Sequence, residues 1–202
     1  MLWKKHVLID AVNLMWKSAL WISLLFVLIL SGCGTNDEDA ILAELENYDV
    51  QSVKDEVTAG DFIYRLFTEK EEYSSSEDVK MYAELEYIGD EDDITIFHAA
   101  SPFYFPIEEK IRGIQIPYPM PEPLLSTTLK KGQPFRQEYT SSGAYSEEDE
   151  KEYQDFMKDF IQNGFPPGYY VVDGYADFFI ETNPNEEPEK FHPSAQVDFK
   201  VK

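Results

Sequence analysis

The chain has 202 residues, with 17 basic against 39 acidic side chains, a formal net charge of −22 and a single cysteine. Charge this negative repels nucleic-acid phosphates and anionic lipid headgroups, which excludes both as direct ligands, and one cysteine excludes an internal disulfide. The 43 % apolar and 15 % aromatic content excludes a disordered acidic chain and is ample for an ordinary core.

The N-terminal stretch comes first. Ser18 to Leu30 carries no charge, Lys17 flanks it on the positive side, and Leu30-Ser31-Gly32-Cys33 closes it. This is the charged region, apolar region and small-residue cleavage site of an export signal. Its 13 residues fall short of the ~20 needed to cross a bilayer core. The closing four residues resemble the lipobox of bacterial lipoproteins. The resemblance implies that Cys33 receives a diacylglyceryl thioether and becomes the first mature residue, placing the protein on the outer face of the cytoplasmic membrane. Translation from Met1 and translation from Met15 both fit this pattern. Residues 1–32 are therefore read as the signal peptide. Loss of Lys4, Lys5, Lys17 and Asp10 leaves 14 basic against 38 acidic residues, a net charge of −24.

Residues 33–60 are acidic and weakly patterned and are read as a lipidated tether. From Asp61 the pattern changes to period two, and residues 61–202 are expected to form the folded domain. Val79, Met81, Ala83, Leu85 and Tyr87 alternate with polar residues, as in a half-buried strand. The acidic turn Gly89 to Asp93 followed by Ile94 to Ala99 predicts the return strand of a hairpin. Phe62 to Phe67, Leu124 to Leu129, Phe135 to Tyr139, Tyr169 to Glu181 and the alternating Ala195 to Val201 predict further strands. About seven short strands separated by turns make an antiparallel β-sandwich, and the fold class is mainly β.

One inserted amphipathic helix is expected. Ser146 with Asp149 forms a capping box. Tyr153, Phe156, Met157, Phe160 and Ile161 then follow the spacing of one buried face. Asn163-Gly164 and Pro166-Pro167 end it.

After the helix comes Pro167-Gly168-Tyr169-Tyr170, with Tyr170 two residues past Gly168 at a strand start. This resembles the tyrosine corner of immunoglobulin-like sandwiches, in which the ring enters the core and the hydroxyl bonds upstream backbone. Together with Leu129-Lys130-Lys131-Gly132-Gln133-Pro134-Phe135, it is similar to the Ig-like family named for the bacterial intracellular proteinase inhibitor. The resemblance covers about residues 61–202 and implies an Ig-like sandwich, with proteinase inhibition as an alternative function. The chain also resembles lipoproteins of Gram-positive spore-formers.

Chemistry has few places to reside. The lone cysteine is assigned to lipidation, no G-x-S-x-G elbow exists, and the mature histidines are His98 and His192. A His98–Ser101 pair on a strand and its following loop is not expected to share catalytic geometry. Zinc wants three or four clustered His and Cys ligands, which are missing from the pattern, so neither a metal nor a cofactor is expected. Asp90 to Asp93 could supply carboxylates to calcium, yet hairpin tips are also charged for solubility alone; both readings stay open. A carboxylate pair for glycoside hydrolysis could be drawn anywhere among so many acids and carries no weight.

Ser101 to Pro123 is the oddest segment, with Pro117, Pro119, Pro121 and Pro123 alternating along an extended path. It reads either as an edge connection between two sheets with its aromatics in the core, or as a partner-binding loop presenting Phe103, Tyr104, Lys110, Arg112 and Tyr118. The expected function is a membrane-anchored binding or interaction module at the cell envelope, partnered with an unidentified envelope protein or ligand, and not an enzyme. Proteinase inhibition and an envelope hydrolase with an unrecognised site are the alternatives.

Overall fold

A computed structural model describes residues 37–181, 183 and 186–202, and Cys33 and the signal segment lie outside the described residues. Asp37–Lys202 is one compact unit. It is mainly β, built from antiparallel sheets with two helices, and it forms a β-sandwich. Among the described residues no helix is long and apolar enough to cross a membrane.

The first layer is a four-stranded sheet of β1 (Lys54–Ala59), β2 (Phe62–Thr68), β4 (Met81–Tyr87) and β10 (Phe135–Glu138). The second layer is made of two sheets. One runs β3 (Glu72–Tyr73), β14 (Ser194–Val201), β11 (Gly168–Ala176), β7 (Ile107–Glu109) and β8 (Ile114–Ile116), with β6 (Phe103–Tyr104) also on β11. The other runs β13 (Glu189–Phe191), β12 (Phe178–Ile180), β5 (Asp93–His98) and β9 (Leu125–Lys130). All pairings are antiparallel apart from β3 with β14. The two sheets of this layer are continuous in chain where β11 runs through Asp177 into β12.

The alternation read from the sequence explains the strands. β2 buries Phe62, Tyr64 and Leu66, while β4 buries Met81, Ala83, Leu85 and Tyr87. β14 turns Ala195, Val197, Phe199 and Val201 inward. Across the layers Phe62 meets Phe178 and Phe191, each with ring centroids 4.9 Å apart. A Cβ on Gly174 would lie 2.8 Å from Leu66 Cδ2 and 2.9 Å from Tyr64 Oη, so glycine is what lets β11 approach β2 this closely.

Four expectations change. The folded unit begins at Asp37 and not at residue 61: α1 (Asp37–Leu45) buries Leu45, and β1 pairs with β2 along its whole length. The weak pattern of this segment reflects a one-sided contact, not a tether. Second, β4 and β5 are not a hairpin. β4 belongs to the first layer and β5 to the second, so the acidic turn is a corner carrying the chain between sheets. Third, two helices lie among the described residues; the second, α2 (Lys151–Asn163), buries Phe156, Met157 and Phe160, but Ile161 is 49 % exposed. Fourth, the capping box forms a turn ahead of the regular helix. The Ser146 N–H donates to Asp149 Oδ2 at 2.6 Å, and Ser146 Oγ accepts from the Glu148 N–H at 3.2 Å.

The corner at Tyr170 forms as read. Its ring is fully buried and its hydroxyl donates to the Pro166 carbonyl at 2.6 Å. Burial pushes the Tyr170 hydroxyl well above the ordinary tyrosine range.

Candidate binding surface

The five residues proposed for partner binding do not converge. Phe103 is fully buried, its ring between Tyr64 and Phe135 at 6.2 and 5.7 Å, so it is a core residue and not a contact. Strand alternation is the reason: Phe103 and Phe105 face inward while Tyr104 between them faces out. Tyr118 packs edge-on to Phe105 at 5.4 Å. Arg112 is spent internally. Its guanidinium donates to the Pro167 carbonyl at 3.0 Å, lies 3.3 Å from Glu109 Oε2 and sits over the Phe156 ring. Lys110 pairs with Glu108 at 2.9 Å. Lys110 is exposed, and Tyr104 is half-buried, stacked on Tyr175 at 4.7 Å.

Glu109 is a buried carboxylate with its donors supplied. The backbone N–H groups of Ile111, Arg112 and Tyr169 donate to it at 3.1, 2.8 and 3.3 Å, and the Arg112 charge balances it. It sets the identity of Gly168, where a Cβ would lie 2.7 Å from Glu109 Oε1. Asp198 is the second such group. It accepts from the Gln51 and Ser52 N–H groups at 2.7 Å each and from the Tyr169 hydroxyl at 2.6 Å. Tyr48 lies over the Tyr169 ring at 4.6 Å, so residues 45–52 form a strap across the outer face of β11 and β14.

His98 and Ser101 are not a catalytic pair. His98 Nδ1 bonds the Ala99 carbonyl and Nε2 bonds Thr127 Oγ1, both at 2.8 Å, while Ser101 donates to Gln137 Oε1 at 2.7 Å. Among the described residues no group of three or more His, Cys, Asp or Glu side chains is placed to hold a metal ion, Asp90 to Asp93 included.

An open cleft of about 680 Å³ separates α1 from α2, lined by Ile41, Arg112, Lys151, Asp155, Phe156 and Asp159. Its two cations are already engaged: Lys151 is paired with Asp155, and Arg112 is held as described, while Asp159 accepts from the Asn163 amide at 2.7 Å. A different surface has unmatched groups. On the outside of the third sheet, Phe97 of β5 and Phe179 of β12 are directly opposite and their rings stack at 5.2 Å and 15°. They floor an open groove of about 330 Å³, walled by Tyr104 and Leu124 and rimmed by Glu122, Asp177 and Lys190. Leu124 is 71 % exposed. Glu122 and Lys190 take part in no ion pair among the described residues. The sequence reading marked Tyr104 here and missed Phe97, Leu124 and Phe179. Only the exposed apolar residues on the outward side of each strand could have signalled them.

The sequence matches no family model and no curated protein. Among solved structures, a protein from Archaeoglobus fulgidus aligns over 76 % of this chain and 98 % of its own, at 13 % identity and a TM-score of 0.29. That likeness is too slight to carry an argument.

Proposed function

We propose that this protein is a lipid-anchored binding module on the outer face of the cytoplasmic membrane, holding its partner in the groove of the third sheet. One observation carries the binding reading: stacked Phe97 and Phe179 beside a Leu124 that is 71 % exposed, with the unmatched Glu122 and Lys190 at the rim. Apolar surface of this kind, rimmed by polar groups on a rigid sheet, is the usual make-up of a recognition site. The anchor rests on the lipobox resemblance at Cys33. Three residues separate Cys33 from α1 in the sequence. The Tyr170 corner supports the Ig-like reading of the sandwich.

The two halves of the proposal are tested separately. Cys33→Ala blocks incorporation of a fatty-acid probe and leaves a slower-migrating precursor; equal labelling of mutant and parent removes the anchor from the reading. Leu124→Asp changes an exposed side chain and leaves the fold intact. Capture from envelope extracts, compared between parent and Leu124→Asp, loses a specific band. Identical capture by both proteins removes the groove.

A further inference from the structure

β9 is the edge of the third sheet, with β5 as its one strand partner among the described residues. Edge strands present rows of unpaired backbone groups, and proteins usually blunt them with charge, bulges or covering elements. β9 carries one charged residue, Lys130, and that at its last position. No acid occurs from Pro123 to Gln137, in a chain with 39 of them. Leu124 and Leu125 are 71 % and 45 % exposed along it.

The direction of its backbone groups follows from its neighbours. The Ala100 N–H donates to the Pro121 carbonyl, and the Lys131 N–H donates to the Asp92 carbonyl. The odd-numbered residues therefore point their backbone groups toward β5. By alternation, the N–H and C=O groups of Leu124, Ser126 and Thr128 point toward the open edge. Pro121 and Pro123 fall on the odd side, so neither removes a donor from that edge.

The charges at the two ends of this edge are opposite. Glu122 lies at one end and Lys130 at the other; both are exposed, and neither joins an ion pair among the described residues. By strand alternation Ser126, Thr128 and Lys130 share the outer face of β9, and Glu122 and Leu124, just before the strand, line the groove on that face beside Phe97. An edge negative at its start and positive at its end is complementary to itself when reversed.

We propose that β9 pairs antiparallel with β9 of a second copy of this chain about a two-fold axis at Ser126. This register sets Glu122 opposite the partner copy's Lys130, twice by symmetry, and Leu124 opposite Thr128. It satisfies about six backbone groups that otherwise face water. The axis stands perpendicular to the sheet, so the two Phe97–Phe179 grooves open on the same side and form a bivalent surface. The pairing does not depend on the lipid anchor.

The test uses the full chain in detergent with Cys33→Ser, so that an introduced cysteine is the sole thiol. A hydrogen-bonded antiparallel pair has Cα atoms about 5.5 Å apart, inside disulfide range. Ser126→Cys therefore cross-links to dimer under mild oxidation. Thr95→Cys, on β5 of the same face, is separated from its mate by about three strand spacings of 4.8 Å and stays monomeric. In the Ser126→Cys chain, Lys130→Glu or Glu122→Lys alone lowers the cross-linked fraction several-fold, and the two together restore it. Cross-linking at Ser126→Cys no greater than at Thr95→Cys overturns the pairing. A double swap that fails to restore it overturns the register and with it the self-complementary edge.

Discussion

Asp198 fastens the strap to the sandwich, and its removal has a consequence that can be sized. The carboxylate is 4 % exposed and accepts three hydrogen bonds: two from the strap backbone at Gln51 and Ser52, one from Tyr169. Bonds to a charged acceptor are worth about 1.5–3 kcal/mol each, against about 0.5–1.5 for neutral ones. In Asp198→Asn the amide keeps one oxygen for two donors and turns its NH2 toward the third. Two weakened bonds and one lost bond together cost about 3–5 kcal/mol. Asp198→Ala leaves all three donors bare. Its cost has a ceiling, however, because a strap that peels away gives its N–H groups back to water. The global loss cannot exceed what docks the strap in the first place. That is mainly burial of Leu45, at about 1.5–3 kcal/mol, and the Tyr48–Tyr169 ring contact, at about 0.5–1.5 kcal/mol, together with the Asp198 bonds themselves.

Amide hydrogen exchange separates local peeling from global unfolding. In Asp198→Ala the Gln51 and Ser52 amides exchange on the order of a hundredfold faster, the equivalent of about 3 kcal/mol, while the amides of β2 and β4 change much less. Asp173→Asn is the control, since Asp173 lies exposed on the same outer face and its carboxylate accepts from the Gln196 side-chain amide at 2.6 Å. If the Gln51 and Ser52 amides keep their parent rate in Asp198→Ala, the strap is held by something else and this reasoning fails.

Tyr64 is fully buried and its hydroxyl has no hydrogen-bond partner among the described residues, so Tyr64→Phe removes a desolvated polar group and raises the melting temperature by the equivalent of about 1 kcal/mol or more; a fall in melting temperature contradicts this. Gly168→Ala drives a methyl into the buried Glu109 carboxylate and costs about 1–3 kcal/mol in urea melts, whereas Gly132→Ala meets no neighbouring atom and loses only what its positive φ imposes. Burial raises the hydroxyl pKa values of Tyr64, Tyr169 and Tyr170 above the ordinary value near 10, with the Asp198 bond adding to the effect at Tyr169. The folded state thus favours the protonated phenol. That preference costs nothing below the unfolded value and drains stability as pH rises past about 10, by up to about 1.4 kcal/mol per unit per tyrosine. Tyrosinate absorbance that rises along with unfolding, not before it, is the expected result.

Burial was legible along the sequence where pairing was not. The alternation in β4 and β14 told which side chains face inward, because period two is a local property of one strand. It held no information on neighbours. A Gly-Asp-Glu-Asp-Asp turn serves a hairpin and a corner between sheets equally well, and only the packing of Ile96 against the core decides between them. Tyr170 was readable because its bond reaches back just four residues to Pro166. The strap was not, because its latch at Asp198 lies 147 residues from Gln51. The groove assembles Phe97, Tyr104, Leu124 and Phe179 from strands and a loop far apart in sequence, so no window contains its pattern. Phe103 is in odd-even phase with Phe105, and both rings are buried, as in the edge-connection reading of this segment with its aromatics in the core.

The distribution of charge argues for where a partner docks. Between Ile94 and Gln137 the only acids are Glu108, Glu109 and Glu122, against Lys110, Lys130, Lys131, Arg112 and Arg136. Glu109 is buried and Glu108 is paired, so the exposed surface of this stretch is not acidic. The remainder of the folded unit carries the other 35 acids. Burying an ionised carboxylate costs several kcal/mol unless a partner supplies a matching cation. A protein that docks on the acidic remainder must meet that cost at each contact. One that docks across Phe97, Ser126, Thr128 and Phe179 desolvates none, and Glu122 and Asp177 stay wet at the rim. In the proposed β9 pairing, like molecules would meet away from the acidic bulk, whose mutual repulsion disfavours other contacts. The surface around Phe97, Ser126, Thr128 and Phe179 thereby offers contact that is apolar and free of carboxylate desolvation. A carboxylate placed there, as in Leu124→Asp, should act on docking through charge as well as through lost apolar contact. Leu124→Asn, with the same shape and no charge, should therefore retain more capture than Leu124→Asp; equal loss by the two would show that apolar contact alone sets the site.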